Sequence, residues 1–445
     1  MIVKSLLRIA GIDPAIAYVI LGKGWTVLAG IASLVLVARH LTGVEQGFFY
    51  TFASLLALQI FFELGFGGVI AQFAAHEMAH LTWRGRHISG DAICQARLYS
   101  LLWLAARWYG LIAVLMFLVV FPAGIWFFNA SPTSDQVNWL KPWLVLVLCS
   151  CGNLALSPII SFFEGCGLVA KVARMRLLQS IVSNVLAWTV LLLGGRLWTT
   201  AASAAAMFAI GLIWLSVSLR PLLSDIIAHK RSAHIISWRQ EIWPLQWRIA
   251  VSWLSGYFVF QIFNPIIFRF HGAEAAGQVG MSIAICNTLS AFAMSWVATK
   301  APRFGDFIAK KKYDELDALY KSALLKSFVM LVIASIALLV TLYGLSRLHV
   351  EFANRILEPV QFLPLIAAML ANHIISSQAT YARAHKQEPY LAYSVVMACL
   401  VGPASYLLGR YFSVSAMFGG YATILCLVGL AYSSRIIKQF RLHRI

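Results

Sequence analysis

Runs of about 20 apolar residues recur from one end of the 445-residue chain to the other. Each is long enough to cross the hydrocarbon core of a bilayer as a helix. Hydrocarbon offers no partner for backbone N–H and C=O groups, so an isolated spanning segment has to satisfy them within a helix. About twelve spans fit, near residues 16–38, 47–70, 98–121, 142–164, 177–195, 200–219, 248–269, 277–299, 322–345, 359–380, 390–409 and 416–434. The fold class expected is all-α integral membrane. Composition agrees: 60% of residues are hydrophobic and 12% charged, against roughly a quarter charged in a soluble domain.

The net charge of +18 would suggest nucleic acid as a partner of a soluble protein. Here Lys and Arg gather in every second loop, about 25 on one side against about 7 on the other, as the positive-inside rule requires. The charge therefore sets topology and meets anionic lipid headgroups, with both termini cytoplasmic. The N-terminal MIVKSLLRIAGIDP lacks a cleavage site after a short apolar core and is read as a retained cytoplasmic tail. The seven cysteines, including Cys149, Cys151, Cys286, Cys399 and Cys426 within apolar runs, have no metal spacing and no disulfide pattern, and read as packing residues.

The longest inside connection, residues 220–247, divides six spans from six. The expected organisation is an N-terminal six-helix bundle (1–219), a cytoplasmic or interfacial linker (220–247), and a C-terminal six-helix bundle with a basic cytoplasmic tail (248–445). Trp238, Trp243 and Trp247, mixed with Arg239, Glu241 and Arg248, suit a segment lying at headgroup level.

A polar knot marks the same place in each half. ARHLTGVEQG (38–47) follows span 1, and RFHGAEAAG (269–277) follows span 7, with Arg39, Gly43, Glu45 and Gly47 answered by Arg269, Gly272, Glu274 and Gly277. Each is expected to be the tight outer turn joining the first two helices of a half, with glycines making the bend. An even number of spans per half makes this a parallel repeat. The two bundles would then be related by a pseudo-two-fold axis along the membrane normal, an arrangement of transporters with alternating access.

One catalytic motif occurs. HEMAH (76–80) matches H-E-x-x-H, in which His76 and His80 would bind zinc and Glu77 serve as general base. No third ligand follows at characteristic spacing; Asp91, His87 and Glu164 are the nearest candidates. Histidines and a glutamate at a helix end are the simpler reading. There is no Walker A sequence and no G-x-S-x-G elbow.

Ionisable residues inside spans are costly and by default functional. Lys23 lies in span 1, Glu63 in span 2, Arg107 in span 3, and Arg248 opens span 7. Glu63 either pairs with Lys23 or couples transport to an ion. Uncharged polar groups, Asn153, Asn184, Asn264, Asn287, Asn372 and His373, gather in other spans. Asn264-Pro265 and Ser157-Pro158 would interrupt helical hydrogen bonding, as gating kinks or simply in packing.

The stretch VARHLTGVEQGFFYTFASLLALQIFFELGFGGVIAQF (37–73) resembles the first two helices of bacterial polysaccharide (O-antigen) flippases, members of the multidrug/oligosaccharidyl-lipid/polysaccharide exporter superfamily. The resemblance is carried by Ala38-Arg39-His40-Leu41, the segment from Gly43 to Gly47, and Glu63-Leu64-Gly65. APRFGDFIAKKKYDELDALYKSALLKS resembles the loop after helix 8 of the same superfamily. HEMAH is no part of that pattern.

The resemblance implies two six-helix bundles facing a central cavity and a polyprenyl-pyrophosphate-linked oligosaccharide moved across the bacterial inner membrane for surface polysaccharide biosynthesis. Pyrophosphate leaving water needs cationic partners, a role for Lys23, Arg107 and Arg248, with Asn264, Asn287 and Asn372 binding substrate and Glu63 coupling the ion. A transporter rather than an enzyme is expected, with no cofactor. Its partners would be the lipid-linked glycan, membrane lipids and glycan-assembly enzymes, with no nucleic acid, and the chain would be a monomer. The alternatives are a multidrug or organic-cation exporter on the same fold and, from another class, an intramembrane zinc metalloprotease built on HEMAH.

Overall fold

The computed structural model describes residues 14–85, 87–220, 238–348, 350–385 and 389–442. The N-terminal tail, most of the 220–247 connection and the last three residues of the basic C-terminal tail lie outside the described residues.

Helices account for nearly all of it. In chain order they are α1 (Pro14–His40), α2 (Gly43–Glu63), α3 (Phe66–Met78), α4 (Ala92–Asn129), α5 (Leu140–Gly165), α6 (Val169–Leu192), α7 (Trp198–Leu219) and α8 (Trp243–Phe260). There follow α9 (Phe263–His271), α10 (Ala273–Ala298), α11 (Ala301–Ala309), α12 (Tyr313–Arg347), α13 (Pro359–Ala384), α14 (Leu391–Tyr411), α15 (Val414–Thr423) and α16 (Leu430–Leu442), the last two joined by a π-helical stretch. Eleven helices among the described residues are long and apolar enough to span a membrane, and the bent pair α2–α3 makes a twelfth. Each expected span falls on one of them. Large apolar side chains such as Leu193, Val360 and Trp126 are more than 70% exposed, as lipid-facing residues are.

Two helices overrun their apolar windows. α4 has 38 residues and α12 has 35, or roughly 57 and 52 Å at 1.5 Å per residue, far beyond a hydrocarbon core of about 30 Å. Asp91 fixes the start of α4 by accepting from the backbone N–H groups of Ile93 and Cys94, both at 2.9 Å. Those N–H groups, Cys94 first, hold its carboxyl below the usual carboxylate range. α12 begins in the amphipathic YDELDALYKSALLKS, whose acidic first turn suits a helix N-terminus. Hydropathy reports where lipid lies, not where a helix ends.

One element departs from all-α. Leu81–Arg84 (β1) and His87–Gly90 (β2) pair antiparallel across a two-residue loop. Gly85 supplies the positive φ (+67°) that such a tight hairpin requires. Trp83 anchors the hairpin by donating its indole N–H to the Cys166 carbonyl at 2.8 Å.

The helices form two compact units. The first takes its described residues from 1–29, 55–130 and 134–254, the second from 30–54, 131–133 and 255–445, so that α1, α2 and α8 are each divided. In the first unit Phe66 stacks on Tyr109, with ring centroids 5.6 Å apart, and meets Trp238 edge-on at 4.7 Å. Trp238 is thus half-buried against the helices, whereas Trp243 and Trp247 are exposed. In the second unit Phe48 meets Phe268 edge-on at 5.0 Å, and Phe304, Tyr320 and Tyr381 cluster where α11, α12 and α13 pack.

Both polar knots belong to the second unit, and there they pack on each other. Thr42 and Glu45 form a capping box at the start of α2: Thr42 N–H donates to the Glu45 carboxylate at 2.9 Å, and Glu45 N–H to the Thr42 hydroxyl at 3.2 Å. Of the glycines, only Gly272 (φ +89°) makes a bend. Gly43, Gly47 and Gly277 lie inside helices, and their missing side chains serve close approach instead. A Cβ on Gly47 would overlap the Ala273 carbonyl, and one on Gly277 would stand 3.0 Å from the Gly43 oxygen and the Gly47 nitrogen. The buried Gln46 amide seals the seam, donating to the carbonyls of Gly277 and Arg355 at 2.9 Å each.

Candidate functional site

In the first unit the polar feature is a broken helix. Leu64 (φ +51°) and Gly65 (φ +66°) both adopt the left-handed conformation, which ends α2 and lets α3 start at an angle of 42°. Gly65 is required twice, for its φ and for space: a Cβ there would stand 2.6 Å from Ile249 Cγ2. The break frees two carbonyls from helical bonding, and neighbours supply donors. The Tyr109 hydroxyl of α4 donates to Glu63 O at 2.8 Å, and the Gln246 amide of α8 donates to Leu64 O at 2.8 Å.

The Glu63 carboxylate sits at the end of the broken helix. It accepts from the side chains of Gln59 and Ser157, the latter at 3.5 Å. No ion pair among the described residues reaches it, so the alternative of a Lys23–Glu63 pair is corrected: the Lys23 side chain is exposed, and neutral donors hold the carboxylate. Ser157 bears on Glu63 from within α5, which runs unbroken through Pro158. The expected interruption of hydrogen bonding at Ser157-Pro158 is confined to the one N–H that Pro158 lacks, without a break in the helix. The one at Asn264-Pro265 is present but displaced, falling at Gln261–Ile262 and placing Pro265 in the first turn of α9, where its missing N–H costs nothing.

In the second unit a cavity of about 400 Å³ is lined by Gln261, Asn287, Asn372, His373, Ser376 and Tyr421 together with apolar side chains. The Asn372 amide donates to the Tyr421 hydroxyl at 2.8 Å. His373 Nε2 lies 2.9 Å from Ser327 Oγ, while its Nδ1 is buried with no hydrogen bond. None of the lining residues is charged. Asn287 and Asn372 are thus brought together, but Asn264 is not with them. It is 4% exposed, packed beside Gly280, and its Oδ1 has no partner. Gln261 and Tyr421 were not singled out from the sequence; the Gln261 signal is its place at a helix break.

Lys23, Arg107 and Arg248 stand on α1, α4 and α8, all exposed and with no ion pair among the described residues. The Arg107 guanidinium lies 5.3 Å from the Trp103 ring centroid and that of Arg248 5.7 Å from Trp247, cation–π contacts that leave their N–H donors available.

HEMAH is divided by the end of α3 at Met78. His76 and His80 are exposed, whereas Glu77 is buried and accepts from Arg97 Nε at 2.9 Å. Arg97 also donates to Glu241 at 2.6 Å, so Glu77–Arg97–Glu241 ties α3, α4 and the approach to α8 together. Of the third ligands considered, Asp91 caps α4 and Glu164 pairs with Arg176 at 2.8 Å. No group of three potential metal ligands occurs among the described residues.

No protein-family model matches the sequence, and no curated protein matches it. Solved structures do. An inward-facing multidrug resistance MATE family transporter of the MOP superfamily aligns over 94% of this chain and 99% of its own, with 12% identity and a TM-score of 0.56. A variant of a Vibrio cholerae MATE transporter aligns over 95% and 94%, with 13% identity and a TM-score of 0.58. A MOP superfamily transporter from Pyrococcus furiosus, described as having a binding pocket of reversed polarity, aligns over 96% and 97%, with 13% identity and a TM-score of 0.55. The chain has the fold of the MATE transporters.

Proposed function

We propose that the protein is an alternating-access membrane transporter whose cargo is a polyprenyl-pyrophosphate-linked oligosaccharide, moved to the outer leaflet of the bacterial inner membrane. The observation that carries this reading is the cavity of the second unit, where amides, hydroxyls and an imidazole are set among apolar side chains without one charge. Its amides and hydroxyls offer hydrogen bonds to a neutral glycan, and it holds no carboxylate to pair with an organic cation. Lys23, Arg107 and Arg248, uncommitted to any carboxylate among the described residues, supply donors for the pyrophosphate. Glu63, a carboxylate at a helix break with no counter-charge among the described residues, is the ion-coupling group.

The test is complementation in a bacterial strain lacking its own O-antigen flippase, with surface glycan as the readout. Wild type should restore the glycan, and Lys23→Gln or Arg107→Gln should abolish it while the protein still inserts. Normal export by both variants would end the pyrophosphate assignment. A multidrug exporter on the same fold is the second reading, favoured by the Glu63 carboxylate. Glu63-dependent efflux of ethidium without glycan export would establish it instead.

A further inference from the structure

The seam between the two knots opens into a second, more polar cavity, of about 560 Å³, lined by Gln46, Glu274, Gln278, Asn354, Arg355 and Glu358. That volume lies within the roughly 300–1,000 Å³ of small-molecule sites. Two buried polar atoms at it have no partner: Oε1 of Gln46, a residue 1% exposed, and Nη1 of Arg355. The two residues are tied together, since the Gln46 amide nitrogen donates to the Arg355 backbone carbonyl at 2.9 Å. Buried polar atoms are paired in the great majority of cases, so an orphaned acceptor and an orphaned donor on two residues of one cavity wall favour a polar ligand there.

Charge narrows the class. Arg355 makes no ion pair among the described residues, although two carboxylates, Glu274 and Glu358, line the same cavity. Arg355 opposes a cation and the carboxylates oppose an anion. An apolar ligand would leave the orphaned atoms stranded at a cost. A hydroxyl both donates and accepts, which matches a wall of alternating amides, carboxylates and guanidinium. An adjoining cavity of about 490 Å³ shares Ala353, Asn354 and Glu358 and adds Tyr343, whose ring carries the Arg347 guanidinium 5.1 Å from its centroid and is otherwise exposed, an amphipathic platform for the C–H face of a sugar.

We propose that this pocket, at the end of the second unit that the loop charges assign to the outside, binds the pyranose units of a glycan. The inference goes beyond the transport reading, since binding is measured on the resting protein and survives failure of any transport assay. The full chain in lipid nanodiscs would be examined by saturation-transfer NMR with methyl α-glucopyranoside, maltotriose and chitotriose. All three should receive saturation from the wild type. Measured in an Asn372→Leu background, which disables the other cavity, Arg355→Met and Glu358→Gln should weaken binding at least tenfold with unchanged thermal melting, and Tyr343→Ala should weaken the trisaccharides but not the monosaccharide. No transfer to any of the three sugars would overturn the proposal. So would a signal lost in Asn372→Leu but not in Arg355→Met, which would place the sugar in the other cavity. Binding of inorganic phosphate or sodium, sensitive to the same variants and without sugar binding, would overturn it in favour of an ion site.

Discussion

Gly47 rests against the backbone carbonyl of Ala273 so closely that no side chain fits between them. The obstacle is backbone, which cannot swing aside. Gly47→Ala is expected to destabilise the protein by about 1–3 kcal/mol through overpacking. At Gly43 an added Cβ would first meet the Glu274 side chain, at 3.2 Å, and Glu274 is exposed and able to give way, so Gly43→Ala should be nearly neutral. Thermal unfolding in detergent measures both; equal effects would mean that the seam is not rigid.

The break in the second span depends on donors from other helices. Gln246→Leu leaves the Leu64 carbonyl without its partner, and Tyr109→Phe does the same to Glu63 O. Each should cost about 1–3 kcal/mol, the penalty for an unsatisfied buried group. A double mutant no worse than either single mutant would show that the two bonds act as one unit.

Glu63→Gln keeps a side chain able to bond Gln59 and Ser157 and removes only the charge. The protein should fold and insert normally, yet lose at least tenfold in ion-coupled transport together with its dependence on the ion gradient. Retention of both would remove Glu63 from the coupling role.

The HEMAH segment yields opposite expectations for its members. His76→Ala and His80→Ala change exposed side chains and should leave melting, transport and metal content unchanged. Arg97→Met strands the buried Glu77 carboxylate and should lower the melting temperature clearly, by analogy with other truncated buried charge pairs. Stoichiometric zinc in the purified protein, lost in His76→Ala, would reverse this reading.

The spans were legible because hydropathy measures transfer into lipid directly. What hydropathy does not measure was missed: the helical overruns of α4 and α12, which are set by a cap and by helix propensity, and the hairpin, which is a local effect of Gly85. Glu63, Asn287 and Asn372 stood out as polar residues in apolar surroundings; Glu63 lies at the helix break, and Asn287 and Asn372 line one cavity. Tyr109 and Gln246, which donate to the carbonyls of Glu63 and Leu64, and Tyr421, which accepts from Asn372, did not, since an amide near a span's end or a tyrosine among aromatics looks ordinary until a distant group needs it. The glycines of the knots were read as bends, because sequence shows a missing side chain without showing whether φ or a neighbour demands it.

The joint at Leu64–Gly65 has a mechanical consequence. Its two freed carbonyls are tied to hydroxyl and amide groups on α4 and α8, not to the next turn of its own helix. The two halves of the span can therefore change their angle by exchanging two side-chain bonds, each worth about 1 kcal/mol net, with no helical turn melted. Tyr109 and Gln246 thus help to set the stiffness of this span, and a displacement of α4 or α8 acts directly on the two backbone carbonyls of the joint.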